Sequence, residues 1–471
     1  MVGLAREGTA LARFLVEAGA HVAVTDQKPA AALADVLATL ADLPLTYHLG
    51  GHAPDKLLEA TDVVFASPGV PQTAPLLVAA RSRGLPVSTE TRLFVQLCPG
   101  NVVGITGSSG KTTTTSLTGA MLRAAGRPVW VGGNIGQPLI GELGRMTADS
   151  WAVLELSSFQ LEFFGPQAGV PGAFGQALTG DGVSPHMAAV LNVTPNHLDR
   201  HASMEEYAAA KQHILRYQCA DDWAVLNPDN GWTAGWIASA PASAPGRLLQ
   251  FSRRRLVPEG AFLDSANINV RLDGRLRPVC AASEVRLRGA HNVENVLAAC
   301  ALALAAGVEP AAMRQAIAGF TGVEHRLEFV DELGGAQWFN DSIATSPERA
   351  VAALRSFDQP IVLLAGGRDK HLPWDEWARE VAQRVRVLVL FGEASDLIER
   401  ELARAGVAVP ALYRGETLEG AVAVARREAR PGDVVLLSPG GASFDAFRDF
   451  EARGRRFKEL VRQLAGESTS R

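Results

Sequence analysis

Cysteine is scarce in this sequence, with 4 among 471 residues. The four are Cys98, Cys219, Cys280 and Cys300, and no two of them form a C-x-x-C pair. That spacing argues against the common zinc motifs and against a disulfide framework. The composition therefore predicts a protein of a reducing compartment, the cytoplasm.

A long apolar segment and an excess of positive charge are also missing. The sequence contains no run of about 18 apolar residues, and its first residues lack the basic and apolar regions of a secretion signal. The formal net charge of -5 argues against nucleic acid or an anionic membrane as a partner. We expect a cytoplasmic monomer whose partners are small molecules.

Strand and helix patterns alternate along most of the chain, which predicts an α/β protein. Proline and glycine interrupt the pattern near residue 98, and a second interruption follows at residues 319–322. The sequence thus predicts three domains, with boundaries at 1–98, 99–322 and 323–471. The first and third are expected to be Rossmann-like, and the central one is expected to be P-loop ATPase-like.

The chain begins with a glycine turn. Gly3 and Gly8 precede a predicted helix, and Asp26 ends the next strand, as in nucleotide-binding units. Only Met1 and Val2 stand before the turn, so we expect a truncated first strand, which would leave backbone groups unpaired at about 1–3 kcal/mol each. A nicotinamide dehydrogenase is a weaker reading, because the full G-x-G-x-x-G pattern is missing.

A second glycine-rich turn, Gly-Ser-Ser-Gly-Lys-Thr-Thr, lies between an apolar strand and a predicted helix. Its backbone N–H groups would bind phosphate, Lys111 would neutralise phosphate oxygens, and Thr112 would bind Mg²⁺. A strict motif would have glycine where Ile105 stands, and an ordinary turn is the alternative. The predicted ATP-binding residues of this loop are Gly107, Ser108, Ser109, Gly110, Lys111, Thr112 and Thr113.

Polar residues follow two further apolar strands. Glu155 ends the strand predicted at 151–155, where ligands collect in parallel sheets, and could hold a second Mg²⁺. Residues 192–201 offer His197, Asp199 and His201. Taken singly, a strand-end glutamate is usually solvated and histidine is a poor ligand for Mg²⁺, so surface or capping roles are the simpler reading of each.

Taken together, these segments resemble the Mur ligase family in their order and spacing, along essentially the whole chain. The resemblance also rests on residues 132–136 and 207–211, and on the segments 67–70, 291–295, 324–326, 340–342, 366–370 and 438–445. It implies an ATP-dependent amide-bond ligase of peptidoglycan precursor synthesis. Such an enzyme activates the carboxylate of UDP-N-acetylmuramoyl-L-alanine as an acyl phosphate and joins it to D-glutamate.

The resemblance implies a catalytic set of four residues, which are Lys111, Glu155, His197 and Lys211. It makes ATP and Mg²⁺ the cofactors, with Thr112, Glu155 and His197 among the metal ligands. Lys211 matches a family lysine that CO₂ converts to a carbamate, which would add an oxygen ligand for the metal. Without the resemblance, Lys211 would be read as an ordinary solvated lysine.

The remaining roles implied by the resemblance concern the three substrates, one for each predicted domain. Around ATP, the expected further residues are Asn295 at the adenine, Arg326 at the phosphates and Asp341 at the ribose. The expected UDP-substrate residues are Gly3, Gly8, Ser67, Pro68, Gly69, Asn134 and Gln160. The expected amino-acid-binding residues are Thr345, Lys370, Ser443 and Phe450.

Two positions depart from the family pattern. Ile343 stands where many members carry a lysine that would pair with a substrate carboxylate, an interaction worth roughly 1.5–3 kcal/mol. Either another cation compensates, with Lys370 and Arg368 as the candidates, or the amino acid differs. Glu7 stands where a small polar residue is common, and its carboxylate would repel a pyrophosphate unless it points away.

Three alternatives remain open at this point. A ligase of the same architecture could add another amino acid, such as L-glutamate, or could resemble a folylpolyglutamate synthase. A non-catalytic nucleotide-binding protein would also explain the loop at 107–113. The set formed by Lys111, Glu155, His197 and Lys211 argues against that last class, because a nucleotide sensor has no need of a second metal site.

Overall fold

The computed structural model describes residues 1–51, 57–168, 180–196, 200–240, 242, 244–287, 289–370, 372–407 and 409–469. The positions His197 and Asp199 lie outside these ranges. Helices alternate with strands, so the α/β prediction is confirmed. The chain divides into two compact units, Met1–Arg286 with Ala290–Phe320, and Leu287–Gly289 with Thr321–Arg471.

The helices and strands of the first unit follow one another in an α/β order. Its α-helices are α1 (Arg6–Glu17), α2 (Ala34–Thr39), α3 (Pro75–Ser82), α4 (Glu90–Leu97), α5 (Lys111–Ala124), α6 (Ser158–Leu161), α7 (Met204–Arg216), α8 (Gly231–Ala238), α9 (Ala290–Ala305) and α10 (Pro310–Gly319). Its strands are β1 (Ala23–Asp26), β2 (Thr46–Leu49), β3 (Val64–Phe65), β4 (Val87–Ser88), β5 (Asn101–Thr106), β6 (Val129–Gly133), β7 (Trp151–Glu155), β8 (Met187–Val190), β9 (Trp223–Leu226), β10 (Arg247–Ser252), β11 (Gly260–Asp264), β12 (Asn267–Leu272) and β13 (Arg275–Ala281).

The first strands form two parallel pairs, β1 with β2 and β3 with β4. Val2 lies between the pairs, bridged to Thr25 and to Ala66. The N–H of Val2 donates to Phe65 O at 2.7 Å, and the N–H of Ser67 donates to Val2 O at 2.9 Å. These backbone groups are therefore paired, and the truncated first strand stays a prediction.

A nine-stranded sheet follows, in the order β13-β12-β11-β10-β9-β8-β5-β7-β6. It is parallel except where β12 pairs with β11 and with β13. Strand β5 is buried on both faces, as in sheets covered by helices: Val103 and Ile105 join one apolar cluster, and Val102 joins the other. Strand β8 ends at Val190, and just beyond it Asn192 accepts a hydrogen bond from Ser109 N in the loop that follows β5.

The second unit contains a six-stranded sheet, in the order β14-β15-β19-β16-β17-β18, whose only antiparallel pair is β14 with β15. Its strands are β14 (Glu328–Leu333), β15 (Ala336–Asn340), β16 (Ile361–Gly366), β17 (Val385–Phe391), β18 (Leu412–Glu416) and β19 (Val434–Gly440). Its α-helices are α11 (Pro347–Leu354), α12 (Asp375–Arg384), α13 (Ser395–Arg404), α14 (Leu418–Glu428) and α15 (Phe450–Thr469). Among the described residues, none of the helices in either unit has the length and apolarity to cross a membrane.

Candidate active site

The loop at residues 107–113 joins β5 to α5, as the sequence predicts. Gly110 has φ +81°, a left-handed conformation that favours glycine. A Cβ at Gly110 would lie 2.1 Å from Asn295 Oδ1, so the side chain of Asn295 on α9 abuts the loop. The structure thus brings the predicted adenine-site residue to the predicted phosphate-binding loop.

Residues just after β8 hold this loop in place. Asn192 Oδ1 accepts a hydrogen bond from Ser109 N at 2.9 Å, and Asn192 O accepts one from Ser108 N at 3.0 Å. The Ser108 hydroxyl donates to Thr194 O at 3.0 Å. The sequence reasoning missed Asn192 and Thr194 as supporting residues, although they belong to the same motif as His197.

Lys111 begins α5 and folds back on its own loop. Its Nζ donates to Gly107 O at 2.9 Å and lies 3.4 Å from Ser108 O. Both acceptors are neutral carbonyls, whereas the oxygens of a bound phosphate carry negative charge and attract an ammonium by Coulomb interaction as well. The ammonium would therefore turn to phosphate oxygens when a nucleotide binds in the loop.

Glu155 accepts hydrogen bonds from two other predicted residues, Thr112 and Asn134. It is 3% exposed, and its Oε2 accepts from Thr112 Oγ1 at 2.7 Å while its Oε1 accepts from Asn134 Nδ2 at 2.9 Å. The backbone of Asn134 is fixed as well, since its N–H donates to Glu155 O at 2.8 Å. Hydroxyl and carboxylate oxygens are the ligands that Mg²⁺ prefers, so Thr112 and Glu155 fit the predicted ion.

Lys211 lies on α7 beside the same loop, and it is not a solvated lysine, because only 1% of it is exposed. Its Nζ donates to Gly107 O at 3.1 Å and lies 4.6 Å from the ring centroid of Tyr207. Burial lowers the pKa of Lys211 well below 10.5, and the charge of Lys111 lowers it further against the opposing effect of Glu155. A lowered pKa increases the fraction of neutral amine, which is the nucleophilic form that reacts with CO₂.

Three of the residues predicted to bind the UDP substrate, Gly3, Gly8 and Ser67, lie against one another. The Ser67 hydroxyl donates to Gly3 O at 3.1 Å, and a Cβ at Gly8 would lie 2.5 Å from that same oxygen. Asp26 Oδ2 accepts from Leu4 N at 2.8 Å, so its carboxylate supports the turn itself. This use of Asp26 weighs further against the dehydrogenase reading, in which an acidic side chain would bind a ribose.

Arg200 was not predicted as a site residue, yet it binds the backbone of residues 68 and 69, which belong to the predicted UDP-substrate site. Its guanidinium donates to the carbonyls of Pro68 at 3.2 Å and Gly69 at 3.1 Å. It also lies 4.4 Å from the ring centroid of Phe159, in a cation–π contact. These partners are distant in sequence, so no local motif indicates the role of Arg200.

Glu7 points toward Gln160. Its Oε1 accepts from Gln160 Nε2 at 2.9 Å, and the same amide donates to Thr91 Oγ1 at 3.0 Å. Burial and the negative charge of Glu90 raise the pKa of Glu7 to about 8. A neutral acid in this place would not repel a pyrophosphate. Gln160 is fully buried, and its side-chain amide binds Glu7.

In the second unit, the predicted amino-acid residues gather where β15, β16 and β19 end. Lys370 Nζ donates to Thr345 Oγ1 at 2.9 Å, and the Ser342 hydroxyl donates to Phe450 O at 2.8 Å. Ser443 is buried in the turn that follows β19. The carboxyl ends of parallel strands are where such sheets bind ligands.

Asp341 lies beneath this region and is almost fully buried. Its carboxylate accepts from the Ser438 hydroxyl at 2.9 Å and from Leu327 N at 3.2 Å. Burial raises the pKa of Asp341 to about 7, and the charge of Arg326 opposes that shift. The structure therefore places Asp341 and Arg326 within electrostatic reach of one another.

Comparison with known proteins identifies the family. Family profiles match residues 1–89 (Mur ligase MurD-like, N-terminal domain), 105–303 (Mur ligase middle domain) and 325–441 (Mur ligase, glutamate ligase domain). The chain is 45% identical over 468 residues to the UDP-N-acetylmuramoylalanine–D-glutamate ligase of Symbiobacterium thermophilum, covering 99% of this chain and 98% of that protein. It is 42% identical over 465 residues to the ligase of the same name from Koribacter versatilis, covering 99% and 97%.

A solved structure shares the fold. The UDP-N-acetylmuramate-alanine ligase of Thermotoga maritima matches with a TM-score of 0.57 and 19% identity, covering 98% of each chain. The family resemblance and the three-domain α/β fold are thereby confirmed, while the boundaries at 98 and 322 stay predictions. With three profiles in order along its length and relatives this similar, the chain belongs to the Mur ligase family.

Proposed function

We propose that this chain is a cytoplasmic ATP-dependent ligase that adds D-glutamate to UDP-N-acetylmuramoyl-L-alanine in peptidoglycan precursor synthesis. The relatives that are 38–45% identical to it carry the name of that reaction. The predicted substrate regions follow from the same proposal: residues 1–98 bind the UDP substrate, 99–322 bind ATP, and 323–471 bind the amino acid. We expect the enzyme to act as a monomer.

The observation that carries the proposal is the position of Lys211. Its Nζ donates to Gly107 O, a carbonyl of the phosphate-binding loop, and its pKa responds to Lys111 and Glu155. A protein that only binds a nucleotide has no use for a buried lysine of lowered pKa beside the phosphates. A ligase does, because the lone pair of the neutral amine adds to CO₂ with loss of a proton, giving a carbamate that is an anionic oxygen ligand.

The residues of this chain supply positioning and charge. Lys111 would stabilise charge on the γ-phosphoryl group while the acceptor carboxylate attacks phosphorus and ADP leaves. Thr112, Glu155 and the carbamate of Lys211 would hold Mg²⁺, which neutralises phosphate charge when it is bound. The amine of the amino acid then attacks the acyl carbon, inorganic phosphate leaves, and a base takes the ammonium proton.

The test is amino-acid-dependent release of phosphate. With ATP, Mg²⁺ and the UDP-linked muramoyl-alanine acceptor, D-glutamate should give phosphate and amide in equal amounts. L-glutamate and D-alanine should give no phosphate above the background without an amino acid. Turnover with L-glutamate but none with D-glutamate would overturn the proposed amino acid, and equal phosphate release with and without the acceptor would overturn the ligase.

A further inference from the structure

Several cations lie close together in the amino-acid region of the second unit, where the charges of Arg349 and Arg453 both act on Lys370. Ile343 stands where the resemblance places a lysine, and of the two compensating cations suggested by the sequence, Arg368 is already paired. Its Nε and Nη2 each lie 2.9 Å from an oxygen of Glu393. A two-point ion pair of that kind leaves Arg368 little capacity to bind a substrate carboxylate.

Arg349 is the cation that stands beside Ile343. It lies on the first turn of α11 and is exposed, and its Nη1 lies 3.4 Å from the carbonyl oxygen of Ile343 itself. The N–H of Thr345 donates to the same carbonyl at 2.8 Å. The guanidinium of Arg349 therefore lies beside the backbone of residue 343, where the resemblance places a lysine. This position is two residues from the predicted ligand Thr345.

Lys370 belongs to the same group of cations. Its ammonium is held at 2.9 Å from Thr345 Oγ1. Burial lowers the pKa of Lys370, and the charges of Arg349 and Arg453 lower it further, with no carboxylate acting against them. Within the described part of the chain, neither Arg349 nor Lys370 forms an ion pair with a carboxylate, although the charge of Arg349 opposes the rise in the pKa of the buried Asp341.

Arg453 fixes the backbone of this region from below. It is fully buried, and its Nη2 and Nε donate to Ser342 O at 2.9 Å and to Ser342 Oγ at 3.0 Å. Its Nη1 donates to Gly441 O at 3.2 Å, two residues before Ser443. Arg453 thus joins the two turns that carry Thr345 and Ser443, and it places under them a positive charge on which the carboxylate of Asp445 also acts.

We propose that Arg349 replaces the missing lysine and, together with Lys370, binds the carboxylates of a dicarboxylic amino acid, with Arg453 positioning the turns. Arg349 and Lys370 form no ion pair among the described residues, so they are suited to a substrate that brings two carboxylates of its own. The inference rests on the proposed function, since it concerns the amino acid of that same reaction. It makes Arg349 a specificity-determining residue for the reaction.

The test compares Arg349→Ala with the control Arg368→Ala, using the full chain with ATP and the muramoyl acceptor. Arg349→Ala should raise KM for D-glutamate about 10- to 100-fold, as loss of a charge-assisted contact predicts, while KM for ATP stays unchanged. Arg368→Ala should change KM for D-glutamate by less than about threefold, because an exposed pair is worth little. The double variant Arg349→Ala with Ile343→Lys should recover most of the lost affinity.

The outcomes separate the two proposals. An unchanged KM for D-glutamate in Arg349→Ala, or an increase in Arg368→Ala as large as that expected for Arg349→Ala, would overturn the role of Arg349 and leave the ligase intact. An increase that Ile343→Lys does not reverse would show a structural effect and would also count against it. No turnover of D-glutamate by the unaltered chain would overturn both proposals.

Discussion

Replacement of Lys211 by alanine is expected to lower kcat of the ligase by about 10³-fold, on the order of 4 kcal/mol of transition-state stabilisation. The affinity for ATP should change little, because the loop at 107–113 keeps its own hydrogen bonds and Lys111. Lys211→Arg should be equally inactive, because a guanidinium keeps the positive charge but cannot form the carbamate. Kinetics and nucleotide binding on the same preparations check both statements.

A matched control lies on the same helix. Arg216 is exposed near the end of α7, and Arg216→Ala should keep kcat within about twofold, as most surface substitutions have small effects. Incubation with isotopically labelled bicarbonate should give a carbamate carbon signal in the unaltered chain and in Arg216→Ala, and none in Lys211→Ala. Full activity of Lys211→Arg would contradict the carbamate role.

Replacement of Glu155 by glutamine is expected to lower kcat about 100- to 1000-fold, or about 2.7–4 kcal/mol. Glutamine has the same size, and its carbonyl can still accept from one of the two donors, Thr112 Oγ1 and Asn134 Nδ2. What it loses is the negative charge that would hold the metal. Raised Mg²⁺ should restore part of the activity, which a titration of rate against Mg²⁺ would detect.

The comparison variant for that experiment is Glu142→Gln. Glu142 pairs only with Arg145 among the described residues, at 2.8 Å and in an exposed position. Its loss should leave the rate and the Mg²⁺ dependence unchanged. A Glu155→Gln variant that matches Glu142→Gln in both measurements would show that the metal is held elsewhere.

Much of the ATP region could be predicted because its signals are local. A strand, a glycine turn and a Lys-Thr pair occupy adjacent positions, and β7 begins and ends where the sequence predicts, with Glu155 at its last residue. Family spacing added Lys211, whose burial confirms that it is not a surface lysine. His197 lies outside the described residues, so its role stays a prediction.

The parts that sequence could not supply depend on contacts between distant positions. Arg200 holds carbonyls of residues 68–70, and Arg453 holds those of Ser342 and Gly441. Each is an arginine donating to backbone oxygens, and no periodicity or motif marks such a partner. Arg349 was also missed as a compensating cation although it lies only six positions after Ile343, because the family motif that contains Arg368 and Lys370 drew attention to those two; Arg368 pairs with Glu393, whereas Arg349 contacts the backbone of Ile343.

In the proposed reaction, the acceptor carboxylate takes the γ-phosphoryl group of ATP and is then joined to D-glutamate. The most direct test uses an acceptor whose carboxylate oxygens carry a heavy isotope, with mass spectrometry of the products. We expect one heavy oxygen in each inorganic phosphate, which is released only when D-glutamate is present, and the other heavy oxygen in the new amide. Heavy oxygen in AMP, or phosphate without label, would contradict it.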